Sequence, residues 1–389
     1  MRTRDIAGSA GIPACIERRE ARTTVSVLIA RLQARNLALP TRGLRFLSAA
    51  FLCLFFSGCR GGIQSAIDPA GPQAGRISKL WWLMFYVCSV VFVLVIIAAL
   101  IAVVRSRSKQ SKAARVEKIT DKPKLSLSKA EEQRMTRTVQ GAVAVTVVIL
   151  FVFLIASFSI GRSLSSDMEN KGLVTIEVTG HQWWWEVRYM DTNPSKIFTT
   201  ANEIHIPVGQ PVTLKLHSTD VIHSFWVPNL NGKKDLIPGK DATIWLQADQ
   251  AGVYRGQCAE YCGLQHAHMA LFVFAEPVDK FNAWMDAQRA ESVAPSNESE
   301  QRGQQVFLTS PCIMCHTIQG TQANATTGPN LTHVASRSTI AAGTLPFTRG
   351  HLSGWIVDSQ SIKPGNHMPP IALNSEDVQA LLDYLQSLK

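Results

Sequence analysis

The stretch GQCAEYCGLQHAHM, Gly256 to Met269, gathers two cysteines, two histidines and a methionine, spaced as Cys258-x3-Cys262-x3-His266-x2-Met269. The upstream stretch DVIHSFWVP supplies His223. Thiolate, imidazole and thioether together suit a soft metal such as copper. A zinc site would use two Cys and two His and leave Met269 idle, and a Cys258–Cys262 disulfide is the plain alternative in an oxidising compartment. A mononuclear blue-copper centre has room for one thiolate only. Two thiolates can instead bridge two copper ions, each completed by one His and a weak axial group, an arrangement suited to rapid one-electron transfer.

A second constellation lies further on. CIMCH, Cys312 to His316, is the C-x-x-C-H pattern of covalent c-type haem attachment. Two thiols serve the haem vinyl groups and the next His is an axial ligand. The alternative, a redox C-x-x-C pair beside a His, lacks the βαβ pattern that normally carries it. KPGNHMPP provides Met368, 52 residues after His316, as the sixth ligand, with His367 competing on chemistry alone. Methionine ligation raises the haem potential toward that of a donor to copper. GPNL, Gly328 to Leu331, resembles the class I cytochrome c segment in which a proline carbonyl, here that of Pro329, holds the ligand His ring. Met before Pro is also that family's pattern and favours Met368. Trp355 reads as packing against a helix.

Charge and hydropathy show what must position these groups. The net charge of +10 is unevenly placed: residues 1–161 carry 23 Lys/Arg against 8 Asp/Glu, residues 162–290 carry 11 against 14, and residues 291–389 carry 5 against 7. The basic excess surrounds apolar segments, so it is an orientation signal for a membrane protein and no nucleic-acid surface. Leu80–Val104 runs 25 residues and Val139–Ile160 runs 22 without a charge, each long enough for a hydrocarbon core of about 30 Å. The loop between them holds 11 basic and 4 acidic residues, which makes it cytoplasmic and places everything after Gly161 on the outer, periplasm-like side.

Before the first span, RGLRFLSAAFLCLFFSGC, Arg42 to Cys59, has a basic start, an apolar run and small residues before a cysteine. This is a signal-peptide layout. It resembles a bacterial lipoprotein signal with Cys59 as the lipidated residue, although Phe56 departs from that pattern. The Arg-rich residues 1–40 do not belong before such a signal, so translation is expected to start near Val25 to Leu28.

Leu173 to Ala275 reads as short alternating strands (LVTIEVTG, WWWEVRY, EIHIPV, PVTLKLHS, ATIWLQ, GVYRGQC, ALFVFA) separated by turn residues, the signature of a β-sandwich or Greek-key barrel. ESVAPSNES, residues 291–299, has the composition of a flexible linker, and helical periodicity takes over in EDVQALLDYLQSLK. The expected order is an N-terminal extension and signal over 1–59, a transmembrane hairpin over 78–161, an all-β domain over 162–290, the linker, and a small all-α domain over 300–389. A linker of that length reaches at most about 30 Å and gives an effective concentration of order millimolar.

HSFWVP followed by GQCAEYCGLQHAHM, with GHQWWWE upstream and two spans before it, resembles subunit II of the haem-copper cytochrome c oxidases; with the haem domain added, the whole resembles the caa-type subunit. The resemblance implies a multidomain membrane protein: a helix hairpin, a cupredoxin domain with a mixed-valence dicopper (CuA) centre, and a class I cytochrome c domain. It further implies side-chain ligation by His223, Cys258, Cys262, His266 and Met269, ligation through the Glu260 backbone carbonyl, and a magnesium or manganese ion facing the Glu260 carboxylate at the boundary with subunit I. The position of Trp183 lies between electron donor and copper in this family, and Trp184 stands where a Tyr is usual. In a strand Trp184 must point opposite to Trp183 and Trp185. The family's proton-admitting Glu beside a Trp has no counterpart in AEEQRMTRTVQGAV, so neither Glu131 nor Glu132 is assigned that role. His205, His217 and His268 read as structural or surface residues.

The expected function is therefore electron input to a terminal oxidase of a bacterial inner membrane: an external cytochrome or respiratory complex to haem c, haem c to copper, and copper to haem in subunit I, where oxygen becomes water. No acid–base constellation appears in the chain. A nitric oxide reductase partnered by a copper subunit would use the same parts. A membrane-anchored copper-delivery protein would not need the haem domain, and a quinol oxidase subunit would lack the copper ligands.

Overall fold

The computed structural model describes residues 62–113, 128–166 and 174–389. Cys59, the Arg-rich start and residues 114–127 of the basic loop lie outside the described residues. Two long helices come first, α1 (Pro72–Ala113) and α2 (Lys129–Ser166). Their apolar stretches, with mean hydropathy 3.4 and 2.9, contain both expected spans and are long enough to cross a membrane. Side chains such as Phe92, Val104, Leu154 and Phe158 point outward, as lipid-facing residues do. Arg76 of α1 donates to the Ser163 carbonyl of α2, 3.2 Å away, fastening the hairpin at its outer end.

The segment before α1 is pinned to the β domain. Arg255 N–H donates to the Ile63 carbonyl at 2.7 Å, Ser65 N–H donates to Asn229 Oδ1 at 2.9 Å, and Asn229 Nδ2 donates to the Asp68 carbonyl at 2.9 Å. These bonds fix where the hairpin leaves the domain.

The β domain is a sandwich of two five-stranded sheets. One has the order β3-β2-β1-β5-β8, from strands β1 (Val174–His181), β2 (Trp184–Met190), β3 (Phe198–Ala201), β5 (Val212–Ser218) and β8 (Ala242–Leu246). The other has the order β4-β10-β9-β6-β7, from β4 (Glu203–Pro207), β6 (His223–Trp226), β7 (Lys234–Leu236), β9 (Gly252–Cys258) and β10 (Ala270–Glu276). β1 runs parallel to β5 and β10 parallel to β4, while the remaining pairs are antiparallel. Alternating residues such as Ile176, Val178, Leu214, Leu216, Val273 and the central Trp185 fill the space between the sheets. All seven expected strands are present. β3, β6 and β7 were not foreseen, being too short to show alternation.

Helix α3 (Val278–Gln288) closes the sandwich, its Trp284 ring stacked on His205 at 3.9 Å, and the His205 ring meets Glu276 Oε2 at 2.9 Å. His205 is thus a structural residue. The stretch expected as a flexible linker is partly ordered by bonds: Ser292 N–H and Oγ–H both donate to the Gln319 carbonyl, and α4 (Glu298–Thr309) already begins at Glu298, capped by the Asn297 side chain.

The haem-type domain has its own core around Phe307, Leu381, Tyr384 and Leu385. It is built from α4, a small hairpin of β11 (Thr339–Ile340) and β12 (Leu345–Pro346), α5 (Arg349–Val357), α6 (Ser359–Ile362) and α7 (Ser375–Ser387). α4 and α7 cross at Gly303, where an added Cβ would stand 2.0 Å from the Ala380 carbonyl oxygen. Only a hydrogen fits at that crossing. The β11–β12 ribbon and short helices make the domain mostly rather than purely helical.

Candidate metal and haem sites

β6 and β9 lie side by side in one sheet, with Phe225 opposite Cys258. That pairing brings His223, at the start of β6, to Cys258, at the end of β9. The loop after β9 then returns through Cys262 and His266 to Met269, just before β10. Cys258 Sγ lies 3.7 Å from Cys262 Sγ, 3.8 Å from His223 Nδ1 and 3.2 Å from the Glu260 carbonyl oxygen. Cys262 Sγ lies 3.5 Å from His266 Nδ1 and 3.8 Å from Met269 Sδ. Both cysteines are free, which sets aside the disulfide. Each sulfur therefore has one ring nitrogen and one weaker donor beside it, a donor set that fits two bridged soft ions better than one tetrahedral zinc.

The groups around these donors are fixed in turn. The His223 ring meets Asp220 Oδ1 through Nε2 at 2.8 Å, which turns Nδ1 toward the sulfur. Burial opposes a charged His223 ring, but hydrogen bonds with Cys258 and Asp220 outweigh it and raise its pKa. The hydrogen bond from Cys262, aided by His223 against burial, pulls Cys258 down to about 3, while Cys262 is pushed up by Cys258 and by burial. Trp183 Nε1 donates to the Cys262 carbonyl at 2.9 Å, and Trp185 stands edge-on to His223. Within β2 Trp185 is buried, while Trp184 faces the other way and stacks on His181 at 4.5 Å; Trp183, just before the strand, is buried as well.

β1 passes close beneath His223: a Cβ at Gly180 would lie 2.8 Å from the ring Cδ2. Gly180→Ala is expected to displace the ring and weaken metal binding by roughly tenfold, the usual scale for disturbing a ligand's support. Copper titration checks this, with covalent haem content unchanged as the control.

In the helical domain Cys312 sits in the turn Pro311–Met314 and Cys315 caps its end. His316 Nδ1 donates to the Pro329 carbonyl at 2.7 Å, as the GPNL motif implied, so Nε2 faces inward. Burial, partly offset by that bond, lowers the His316 pKa and favours the neutral, ligating ring. Met368 is set by its backbone: its N–H donates to Asn366 Oδ1, and its carbonyl accepts from Ser359 Oγ at 2.6 Å and Gln360 Nε2 at 2.9 Å. Cys312, Cys315, His316 and Met368 line one cavity of 370 Å³, together with Leu352, Trp355 and Leu385. A largely apolar slot with two free thiols at its edge and His and Met lining it fits a covalent haem.

That cavity also reaches Gln182, Trp183 and Trp184 of the copper-type domain. His367 lies on that side: its ring is 5.5 Å from the Trp183 ring. Sequence reasoning weighed His367 only as a rival ligand and missed two buried cations at the domain junction, Lys363 and Arg337. Their side chains carry no sequence pattern that distinguishes them from surface lysines and arginines. His217 pairs with Asp241, and His268 with Gln265.

The fold and sites define a membrane-anchored cupredoxin domain joined to a cytochrome c domain. Residues 192–276 match the family described as cytochrome c oxidase subunit II, periplasmic domain, and residues 300–389 match cytochrome c. Cytochrome c oxidase subunit 2 of Alkalihalophilus pseudofirmus is 36% identical over 358 residues, covering 89% of this chain and 97% of that protein. The Bacillus subtilis subunit 2 is 28% identical over 356 residues, covering 87% and 96%. The periplasmic domain of subunit II (CoxB) of Bradyrhizobium japonicum matches at 30% identity over 31% of this chain and 96% of that one, with a TM-score of 0.29. The chain belongs to the cytochrome c oxidase subunit II family and carries a C-terminal cytochrome c domain. It is thus part of a haem-copper oxidase, an oxidoreductase with subunit I and further subunits as partners, and its two domains imply CuA copper and haem c.

Proposed function

We propose that electrons from an external donor reach a haem c held by Cys312, Cys315, His316 and Met368, and pass by way of Trp183 to a dicopper centre. His223, Cys258, Cys262, His266, Met269 and the Glu260 carbonyl hold that centre, and haem in subunit I receives the electrons for reduction of oxygen to water. When bound at these residues, the two groups would supply one-electron chemistry. The chain's own residues do the rest. Pro329 orients His316, Asp220 orients His223, and the apolar walls keep water from the haem slot.

The observation that carries this reading is the junction itself. The haem cavity opens onto Trp183, whose ring touches His367, next in the chain to Met368, and whose Nε1 bonds to the carbonyl of Cys262. Both sites face the bacterial periplasm, with α1 and α2 spanning the inner membrane. The half-buried Glu260 carboxylate supplies an oxygen ligand for magnesium or manganese at the subunit I boundary.

Rapid injection of one electron into the haem of the assembled oxidase tests the relay. Haem reoxidation and loss of the visible copper band should coincide in time and in amount. Reoxidation of the haem while the copper band stays constant would refute it.

A further inference from the structure

We propose that Lys363 is a positioning residue that latches the haem domain onto the copper domain in a single pose, so that the fused cytochrome works as a fixed wire and not as a swinging arm. The inference rests on the copper and haem reading above. Lys363 is 3% exposed, and its three ammonium donors all go to backbone carbonyls: Trp183 at 3.1 Å and His268 at 2.8 Å on the copper domain, and Ala341 at 3.2 Å within its own. An ammonium has three donors, so the group is fully committed. Two of its acceptors belong to segments that flank the copper donors: Trp183 bonds to Cys262, and His268 precedes Met269.

The receiving loop is shaped for this contact. Ala341, Ala342 and Gly343 are all left-handed, with φ of 54°, 56° and 73°. That conformation is uncommon for residues with a Cβ and persists where neighbours enforce it. Here Lys363 takes the Ala341 carbonyl, and the Ala342 carbonyl accepts from Ala270 N–H of β10 at 3.0 Å. The junction continues through Glu203, whose Oε1 accepts from Ser338 N–H at 2.8 Å and Oγ–H at 2.6 Å. In the docked pose Trp183 is only 7% exposed. A soluble carrier therefore cannot touch Trp183 and must deliver its electron to the haem domain.

The test compares the full oxidase with Lys363→Met, which keeps the apolar stem and leaves three carbonyls without their donor, and with Glu203→Ala, which removes only the acceptor of Ser338 on the other side of the junction. Haem and copper absorbance verify that both sites are assembled. In Lys363→Met, amide exchange at Ala270 should quicken and haem-to-copper transfer should slow, each by about tenfold or more, the factor expected for a lost buried charged bond at about 1.4 kcal/mol per decade. Glu203→Ala should move both in the same direction by less. Unchanged exchange and transfer in Lys363→Met would overturn the latch, and faster exchange with unchanged transfer would overturn its bearing on electron flow. Missing haem or copper absorbance in the unaltered oxidase would instead refute the underlying reading.

Discussion

Replacing Cys258 by Ser is expected to lower copper from two ions per chain to one at most and to bring oxygen uptake down to background, with covalent haem unaffected. Cys258 Sγ stands within 3.8 Å of Cys262 Sγ, His223 Nδ1 and the Glu260 carbonyl, so one atom links both halves of the site. A hydroxyl in its place is a harder and far less acidic donor, unsuited to bridging soft ions. The haem domain has a separate core and keeps its cofactor, so haem would still accept electrons that then have no exit. Metal analysis and oxygen consumption on the same preparation check both parts. Two coppers with normal turnover would mean that Cys258 is not a ligand.

The second large effect is expected at Met368. Its backbone is held by Asn366, Ser359 and Gln360, so exchange of the side chain alone should leave the loop in place. Met368→His replaces a thioether by an imidazole, and the haem potential should fall by a sizeable part of the roughly 0.8 V that axial ligands span. Each 59 mV is tenfold in a one-electron equilibrium. Reduction of the haem by a mild external donor should therefore collapse, while covalent attachment through Cys312 and Cys315 stays complete. Redox titration measures the shift. An unchanged potential would show that Met368 does not ligate the iron, whereas His367→Ala, at the residue whose ring is tilted against Trp183, should leave it nearly unaltered.

The candidate ligand residues were legible because chemistry restricts such sites to a few residue types at tight spacing. CxxxCxxxHxxM and CxxCH leave little freedom, and the two spans announce themselves by length alone. The short strand β6 was not legible from alternation, although it carries His223; only the pairing of Phe225 with Cys258 explains why a histidine 35 positions before Cys258 belongs to the site. The relation between the two domains was least legible. A nine-residue polar stretch reads as a loose tether, whereas the docked pose depends on single side chains, Lys363, Arg337 and Glu203, meeting groups far away in sequence. Such bonds leave no periodicity. His367 shows the same limit: its neighbour Met368 fits a motif, but its contact with Trp183 is a product of docking.

The most direct test of the central claim is electron paramagnetic resonance with metal counting on the purified full-length chain. The account predicts hyperfine structure from one unpaired electron shared over two copper nuclei, with two coppers and one covalent haem per chain. A spectrum from a single copper, or zinc in its place, would contradict it and leave the cytochrome domain beside a metal site that cannot relay its electrons.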